Sequence, residues 1–310
     1  MFRYLLQAWL HRAARDKLTE FVANSIRPPS NDENVGCADA TTNSATNGAT
    51  TDPAKPPTAK SPDSSAGLAV HAACIFALGD ESGGFGDVCA NNAAVIRADG
   101  FSLRLGALRG RRVAAVVSGV GRQKAAHAAA AVIEAYRPKL VISAGFGGAL
   151  RDDLRRNDIV VAKSVIQENG EELLLESADD LRWPRCFVGR MLTVDRVVRT
   201  VQEKRQLRSA TEADLVEMET AAVVEICQRL GTPVAAIRVV IDTADEELPP
   251  HLETIVRQQS KARQWGAAMG AIFARPKSFG ELYQLKENAI SASDRLAKFL
   301  VEFIARTAVV

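Results

Sequence analysis

This 310-residue sequence lacks long apolar runs, closely spaced cysteine pairs and a large excess of one charge. No apolar run approaches the roughly 20 residues that a membrane-spanning helix needs. The N-terminal segment does not resemble a signal peptide, because Gln7, His11 and Arg12 interrupt the apolar region that one requires. The five cysteines form no CxxC pair and show no Cys/His zinc spacing, so we predict no metal site and expect a reducing, cytoplasmic location. The formal net charge is only +2, which gives no reason to predict a nucleic-acid partner.

The composition divides the sequence into three zones. Residues 1–27 have apolar side chains at helical spacing and four basic residues on the opposite face: Arg3, Arg12, Arg15 and Lys17. Such an amphipathic helix either contacts a membrane surface peripherally or packs against its own domain or a second subunit. Residues 28–71 are rich in Ser, Thr, Asn, Ala and Pro. They are predicted to be a disordered linker, because they offer little apolar surface to bury.

The third zone, residues 72–310, alternates apolar strands with helical stretches. The pattern predicts helices at 123–135, 219–230 and 291–308, and strands at 72–78, 113–117, 140–144, 158–165 and 234–242. This alternation is typical of an α/β domain with helices on both faces of a sheet. In such sheets ligands bind beyond the carboxyl ends of the strands, so the residues that follow each strand are the candidate site.

Glycines follow two of these predicted strands. Ser118-Gly119-Val120-Gly121 precedes a predicted helix, and Gly145, Gly147 and Gly148 surround Phe146. Glycine lets the backbone turn tightly and approach a ligand, and a helix N-terminus attracts anions. Tight strand–helix packing would require the same residues, so the glycines alone leave both interpretations open.

Charged side chains lie at three places in or next to the predicted elements. Glu81 follows the first strand, Glu219 stands at the start of a helix, and Arg238 and Asp242 lie in the last strand. Because Arg238 and Asp242 are four residues apart, strand alternation predicts that they share one face. A buried carboxylate is costly unless it is paired or used, and one with a raised pKa can protonate a leaving group. The structural alternative is that the acids only favour helix N-termini.

Together these segments resemble the nucleoside phosphorylase/nucleosidase superfamily, and most closely its methylthioadenosine/S-adenosylhomocysteine nucleosidase branch. The matching segments are FALGDE (76–81), SGVGRQKAA (118–126), SAGFGGAL with NDIVVA (143–162), VEMETAAVVEIC (216–227) and RVVIDTAD (238–245). The resemblance covers essentially all of 72–310. It implies a single three-layer α/β domain with a central mixed sheet.

The resemblance also implies a role for each matching residue. Glu81 would activate the attacking water, Met218 and Glu219 would contact the sugar, and Asp242 would protonate or hydrogen-bond the departing purine. Arg238 would lie near the nucleophile. The backbone of the glycine-rich segment, Gly145, Phe146 and Gly147, would line the pocket for sugar and base.

The sequence differs from the family at three points. Phe146 stands where the family usually has Ser or Thr to hold water or phosphate, and Ile241 stands where the nucleosidases have Ser. These differences weaken the case for phosphate as nucleophile and leave adenine specificity open. The family's base-stacking aromatic is hard to align; Phe187 is the first candidate and Trp183 the second.

The sequence therefore predicts hydrolysis of a purine nucleoside or thionucleoside, as in methionine salvage. The chemistry needs no cofactor and no metal, and the small-molecule substrate is the expected partner. The resemblance further implies a homo-oligomer. Phosphorolysis is the alternative reaction, and hopanoid-associated relatives add a lipid-linked nucleoside as an alternative substrate. A non-catalytic nucleoside-binding protein is the alternative outside enzymes.

Overall fold

The computed structural model describes residues 69–89, 95–98, 100–176, 183–249 and 279–307. The predictions for residues 1–27 and for nearly all of the 28–71 segment lie outside these described residues. None of the helices described is both long and apolar enough to span a bilayer.

A parallel core of four strands forms the centre of the sheet. It consists of β1 (Ala72–Phe76), β4 (Arg111–Val117), β5 (Leu140–Ala149) and β10 (Val234–Asp242). β1 pairs with β4 and β5, and β5 pairs with β10, all in parallel. Their nearly continuous apolar composition fits burial on both faces. The carboxyl ends of these strands therefore meet at one edge of the sheet.

The remaining strands make the sheet mixed and close part of it into a ring. An antiparallel hairpin of β2 (Val95–Ala98) and β3 (Phe101–Leu108) extends the sheet beyond β4. On the other side lie β6 (Ile159–Gln167), β7 (Glu172–Leu174), β8 (Cys186–Thr193) and β9 (Leu215–Glu217). The pairings run from β10 through β6, β8 and β9 back to β5, so these five strands close on themselves.

Helices cover both faces of the sheet. On one face, α1 (Gly79–Val88) packs with the long helix α5 (Phe279–Arg306), where Phe85 and Leu296 are buried. On the other face, α2 (Arg122–Tyr136) and α4 (Thr220–Arg229) share a second apolar cluster. The alanine-rich sequence of α2 allows close packing against the strands. A fifth helix, α3 (Val201–Thr211), follows β8. The predicted three-layer α/β domain with a central mixed sheet is confirmed.

The predicted elements agree with the structure to within a few residues at most ends, and β10 agrees at both ends. Two departures are larger. β5 continues five residues beyond its predicted end, through the glycines, to Ala149, and α5 begins at Phe279 rather than at 291. The sequence pattern does not predict α1, α3, the β2–β3 hairpin, β7, β8 or β9.

Candidate active site

The acidic residue Glu81 accepts hydrogen bonds from backbone N–H groups of the segment after β1 and of β5. It lies in the first turn of α1, where its Oε2 accepts from the N–H groups of Ala77 and Leu78, both at 2.8 Å. Its Oε1 accepts from the N–H of Phe146 on β5 at 3.0 Å. Burial raises the pKa of Glu81, although these donors and Arg238 oppose the rise. The residue is therefore both a helix cap and a fixed, buried carboxylate.

Arg238 lies at the centre of a buried polar network. One guanidinium nitrogen is 2.7 Å from Glu217 Oε2 and 2.8 Å from the Thr220 hydroxyl, and the other donates to the Ser143 carbonyl at 2.9 Å. Both charged side chains are almost fully buried, at 3% and 1% exposure. Burial alone would raise the pKa of Glu217, but Arg238 and the hydroxyl of Thr193 hold it below its ordinary value. Glu217 is therefore a carboxylate that neutralises Arg238.

Glu219 faces Glu81 across the same strand ends. Its Oε1 accepts from the N–H of Gly121, at the N-terminus of α2, at 2.9 Å. Burial raises the pKa of Glu219 to about 8, and the negative charges of Glu217 and Glu81 add to the rise. Three acidic side chains, Glu81, Glu217 and Glu219, thus interact with the positive charge of Arg238. Such a cluster of mutually perturbed groups is typical of functional sites.

A crevice with about 210 Å³ of empty space lies between these groups. Glu81, Glu219 and Arg238 line it together with Ser118, Ser143 and apolar side chains of β1 and α4.

Asp242 has a separate set of partners. A β-bulge after Val240 adds Ile241, so that Arg238 aligns with Gly145 of β5 but Asp242 aligns with Gly148. Positions 145 and 148 face opposite sides of a strand. The prediction that Arg238 and Asp242 share one face is therefore wrong, because regular alternation does not continue to the end of the strand.

The partner of Asp242 is a buried lysine that the sequence analysis did not identify. Lys204 Nζ of α3 lies 2.6 Å from Asp242 Oδ2, and both residues are buried. Burial raises the pKa of Asp242, and the ammonium group of Lys204 opposes the rise. Asp242 is thus a carboxyl group placed beside a fixed positive charge.

The glycine-rich segment connects the two acidic positions. A Cβ atom at Gly145 would lie 2.8 Å from Glu81 Oε1, and one at Gly148 would lie 3.0 Å from Asp242 Oδ2. Gly147 instead packs against Leu215. Three residues along a strand span about 10 Å. Glycine at 145 and 148 is therefore required by the approach of Glu81 at one end of the segment and of Asp242 at the other.

Two predicted binding residues have positions that do not explain their predicted roles. Phe187 is the second residue of β8, and its ring lies about 5 Å from the guanidinium carbons of Arg151 and Arg185. It does not line the crevice. Met218 is half-buried between Glu217 and Glu219, and its contact with a sugar stays a prediction. Trp183, the second stacking candidate, packs against Phe299 of α5.

Within the described part of the chain, no group of three or more His, Cys, Asp or Glu side chains could hold a metal ion. The structure thus brings Glu81, Glu219 and Arg238 together and places Asp242 at the far end of the glycine segment. The sequence pattern predicts neither Lys204 nor four members of the network around Arg238: Glu217, Ser143, Thr193 and Thr220. The sequence does contain a signal for Glu217. Acidic residues stand at both 217 and 219, whereas one helix N-terminus needs only one of them.

Comparison with known proteins places the chain in a family. A family model described as the phosphorylase superfamily matches residues 71–185 and 171–275. Among curated proteins, the chain is 24% identical over 182 residues to a 5'-methylthioadenosine/S-adenosylhomocysteine nucleosidase of Staphylococcus haemolyticus, covering 51% of this chain and 80% of that protein. It is 27% identical over 191 residues to the protein of that name from a Shewanella species, covering 53% and 81%.

Solved structures share the same fold. The structure of 5'-methylthioadenosine/S-adenosylhomocysteine nucleosidase from Helicobacter pylori with butyl-thio-DADMe-Immucillin-A aligns with a TM-score of 0.59 at 19% identity. That alignment covers 77% of this chain and 98% of the other. A futalosine hydrolase mutant of Helicobacter pylori aligns with a TM-score of 0.57 at 18% identity, covering 76% and 97%.

Proposed function

Because the chain belongs to the phosphorylase superfamily, we propose that it hydrolyses the N-glycosidic bond of a purine nucleoside or thionucleoside. The observation that carries the proposal is the crevice formed by Glu81, Glu219 and Arg238, with Asp242 about 10 Å further along the glycine segment. The curated relatives named as nucleosidases support the reaction type.

Glu81 is the proposed base for the attacking water. Its carboxylate is fixed by three backbone N–H groups, so little reorganisation is needed when it accepts a proton. Burial raises its pKa towards the range in which a carboxylate is an effective base near neutral pH. Water bound in the crevice beside it is the proposed nucleophile.

Glu219 is the proposed sugar ligand. Glycosidic cleavage passes through an oxocarbenium-like transition state, in which positive charge develops on the sugar ring. Glu219 and Glu81 both border the crevice, so two acidic side chains face the position proposed for the sugar. Glu219 can also accept hydrogen bonds from sugar hydroxyls through the oxygen that Gly121 does not occupy.

Asp242 is the proposed acid at the leaving base. Glu81 and Asp242 approach the glycine segment from opposite faces of β5, at Gly145 and Gly148, so the proposal requires the base to reach Asp242 past the end of the strand while the sugar lies at Glu81. Burial raises the pKa of Asp242 and so favours a protonated carboxyl that can donate to the base.

The charges in the crevice support water over phosphate as nucleophile. A phosphate dianion entering the crevice would meet two acidic side chains, Glu81 and Glu219, and no unpaired positive charge among the groups that line it. The positive charge of Arg238 is already paired with Glu217 at 2.7 Å. Phe146 provides no hydroxyl group for phosphate. Each of these features disfavours an anionic co-substrate.

Substitution of the two proposed catalytic carboxyls tests the assignment. We expect Glu81→Gln and Asp242→Asn each to lower kcat for methylthioadenosine by about 10²–10⁴-fold. Binding of the nucleoside, measured by calorimetry, should be largely retained. Asp245→Asn is the matched control, because Asp245 lies three residues from Asp242 but is exposed and accepts a hydrogen bond from the Thr243 hydroxyl. Wild-type turnover in both test variants would refute the roles of both carboxyls.

The resemblance extends the proposal to a cytoplasmic homo-oligomer that acts in methionine salvage. Peripheral membrane contact through residues 1–27 stays a separate prediction. Sedimentation with liposomes, with and without those residues, tests it. Equal partitioning of the two proteins would remove the reason for proposing membrane contact.

A further inference from the structure

Lys204 is a fully buried lysine whose ammonium group has three acceptors. Nζ lies 2.6 Å from Asp242 Oδ2, 2.6 Å from the Thr243 carbonyl and 2.9 Å from the Glu246 carbonyl. An ammonium group has three N–H donors, so all of them are used. Burying such a charge is costly unless it is paired, which makes a lysine at this position difficult to explain by packing alone.

The contacts of Lys204 leave one oxygen of Asp242 available. Lys204 contacts Oδ2, whereas Oδ1 makes no hydrogen bond to any residue in the described ranges. The two backbone carbonyls fix the segment that follows β10, and with it the direction of the carboxyl group. Among the described residues, Asp242 is therefore oriented through Oδ2 only.

We propose that Lys204 is a positioning residue that sets the acid strength of Asp242 in the reaction. The inference rests on the proposed function. The Asp242 O–H bond breaks as the proton moves to the base, and the glycosidic electron pair leaves with the base. The carboxylate that forms is stabilised by the adjacent ammonium group. Lys204 therefore acts in the transition state, through Asp242, and touches no reacting atom.

Three charged groups from different elements face Asp242. Lys204 comes from α3, Arg156 from the connection between β5 and β6, and Glu246 from the segment after β10. Lys204 and Arg156 favour the ionised form of Asp242, whereas Glu246 opposes it. Lys204 is in direct contact with Asp242, so removing its charge should have the largest effect.

The test is the pH profile of kcat in Lys204→Met, for base release by the full-length protein. Loss of the ammonium group makes Asp242 a weaker acid. We therefore expect kcat to fall about 10- to 100-fold with little change in KM. The limb where activity falls as Asp242 ionises should move to higher pH by about 1–3 units. Lys204→Arg, which keeps the charge, should retain the wild-type limb.

A matched control separates this effect from loss of structure. Arg156 donates to the Ile241 carbonyl at 2.6 Å and pairs with Glu246, but it does not bond to Asp242. Arg156→Met should weaken the same segment and leave the limb nearly unmoved. Lys204→Gln gives a second uncharged variant, should Lys204→Met fail to fold.

The outcomes are distinguishable. If the wild-type protein releases base but the uncharged Lys204 variants keep its pH limb, the inference about Lys204 is overturned and the proposed function stands. If the wild-type protein releases no base from any nucleoside, both are overturned. A shifted limb in the uncharged variants, with the wild-type limb in Lys204→Arg and Arg156→Met, supports the inference.

Discussion

The position of the Glu81 carboxylate depends on residue 145 being glycine, which has no side chain. A Cβ atom there would lie 2.8 Å from Glu81 Oε1 and 3.0 Å from its carboxyl carbon, where ordinary contact begins at 3.4 Å. In Gly145→Ala the carboxylate must therefore move by about 0.6 Å, the difference between 3.4 and 2.8 Å. That movement pulls Glu81 away from the N–H groups that hold it.

The expected cost has a stability part and a catalytic part. Adding an atom to a packed site costs about 1–3 kcal/mol, which lowers Tm by about 2–12 °C for a domain of this size. A misplacement of about 1 Å can cost about 10²-fold in rate, so we expect kcat to fall by about tenfold or more. Thermal unfolding and base release from methylthioadenosine measure the two parts.

Gly83→Ala is the matched control for this substitution. Gly83 lies two residues from Glu81 on the exposed side of α1, and its nearest neighbour for a Cβ atom is the Ser293 hydroxyl at 3.8 Å. Alanine there should be neutral or stabilising by up to about 1 kcal/mol, because it favours the helix. Wild-type Tm and kcat in Gly145→Ala would refute the close approach of Glu81.

Two further predictions concern the charged network. Arg238→Met leaves Glu217 buried without its partner, so we expect the free energy of unfolding in urea to fall by about 3–5 kcal/mol; a loss below about 1 kcal/mol would show that the pair is not buried. The pKa of Glu219 is raised to about 8 from its ordinary value of 4.5, so its contribution to stability is complete below 4.5 and is lost as the pH rises towards 8. The unfolding free energy of Glu219→Gln should therefore increase relative to wild type over this pH range, and a constant difference would contradict the raised pKa.

The parallel core of the sheet could be predicted because its strands are long and apolar. β10 is the clearest case, since both of its ends were predicted. α1 was missed because four glycines between residues 79 and 86 are typical of a loop. Gly84 instead lets α1 pack closely on α5, where a Cβ atom would lie 3.2 Å from Ala297. Close packing thus overrides weak helix propensity in this segment.

The site residues that could be predicted are charged residues that stand within or next to recognisable elements of the sequence. Glu81 follows a predicted strand, Glu219 begins a predicted helix and Arg238 lies within a predicted strand. The fold brings all three to one crevice. Lys204 could not be predicted, because it lies in a polar helix whose composition indicates solvent exposure, and its partner is 38 residues away. The bulge at Ile241 was also unpredictable, since alternation gives no sign of an extra residue.

Release of free base from a panel of nucleosides, with and without phosphate, tests the central claim most directly. The panel includes methylthioadenosine, S-adenosylhomocysteine, adenosine, inosine and uridine, and the products are separated by chromatography. The proposed function predicts release from at least one purine nucleoside at a rate independent of phosphate. Release that strictly requires phosphate would contradict hydrolysis, and binding without release from any nucleoside would contradict catalysis.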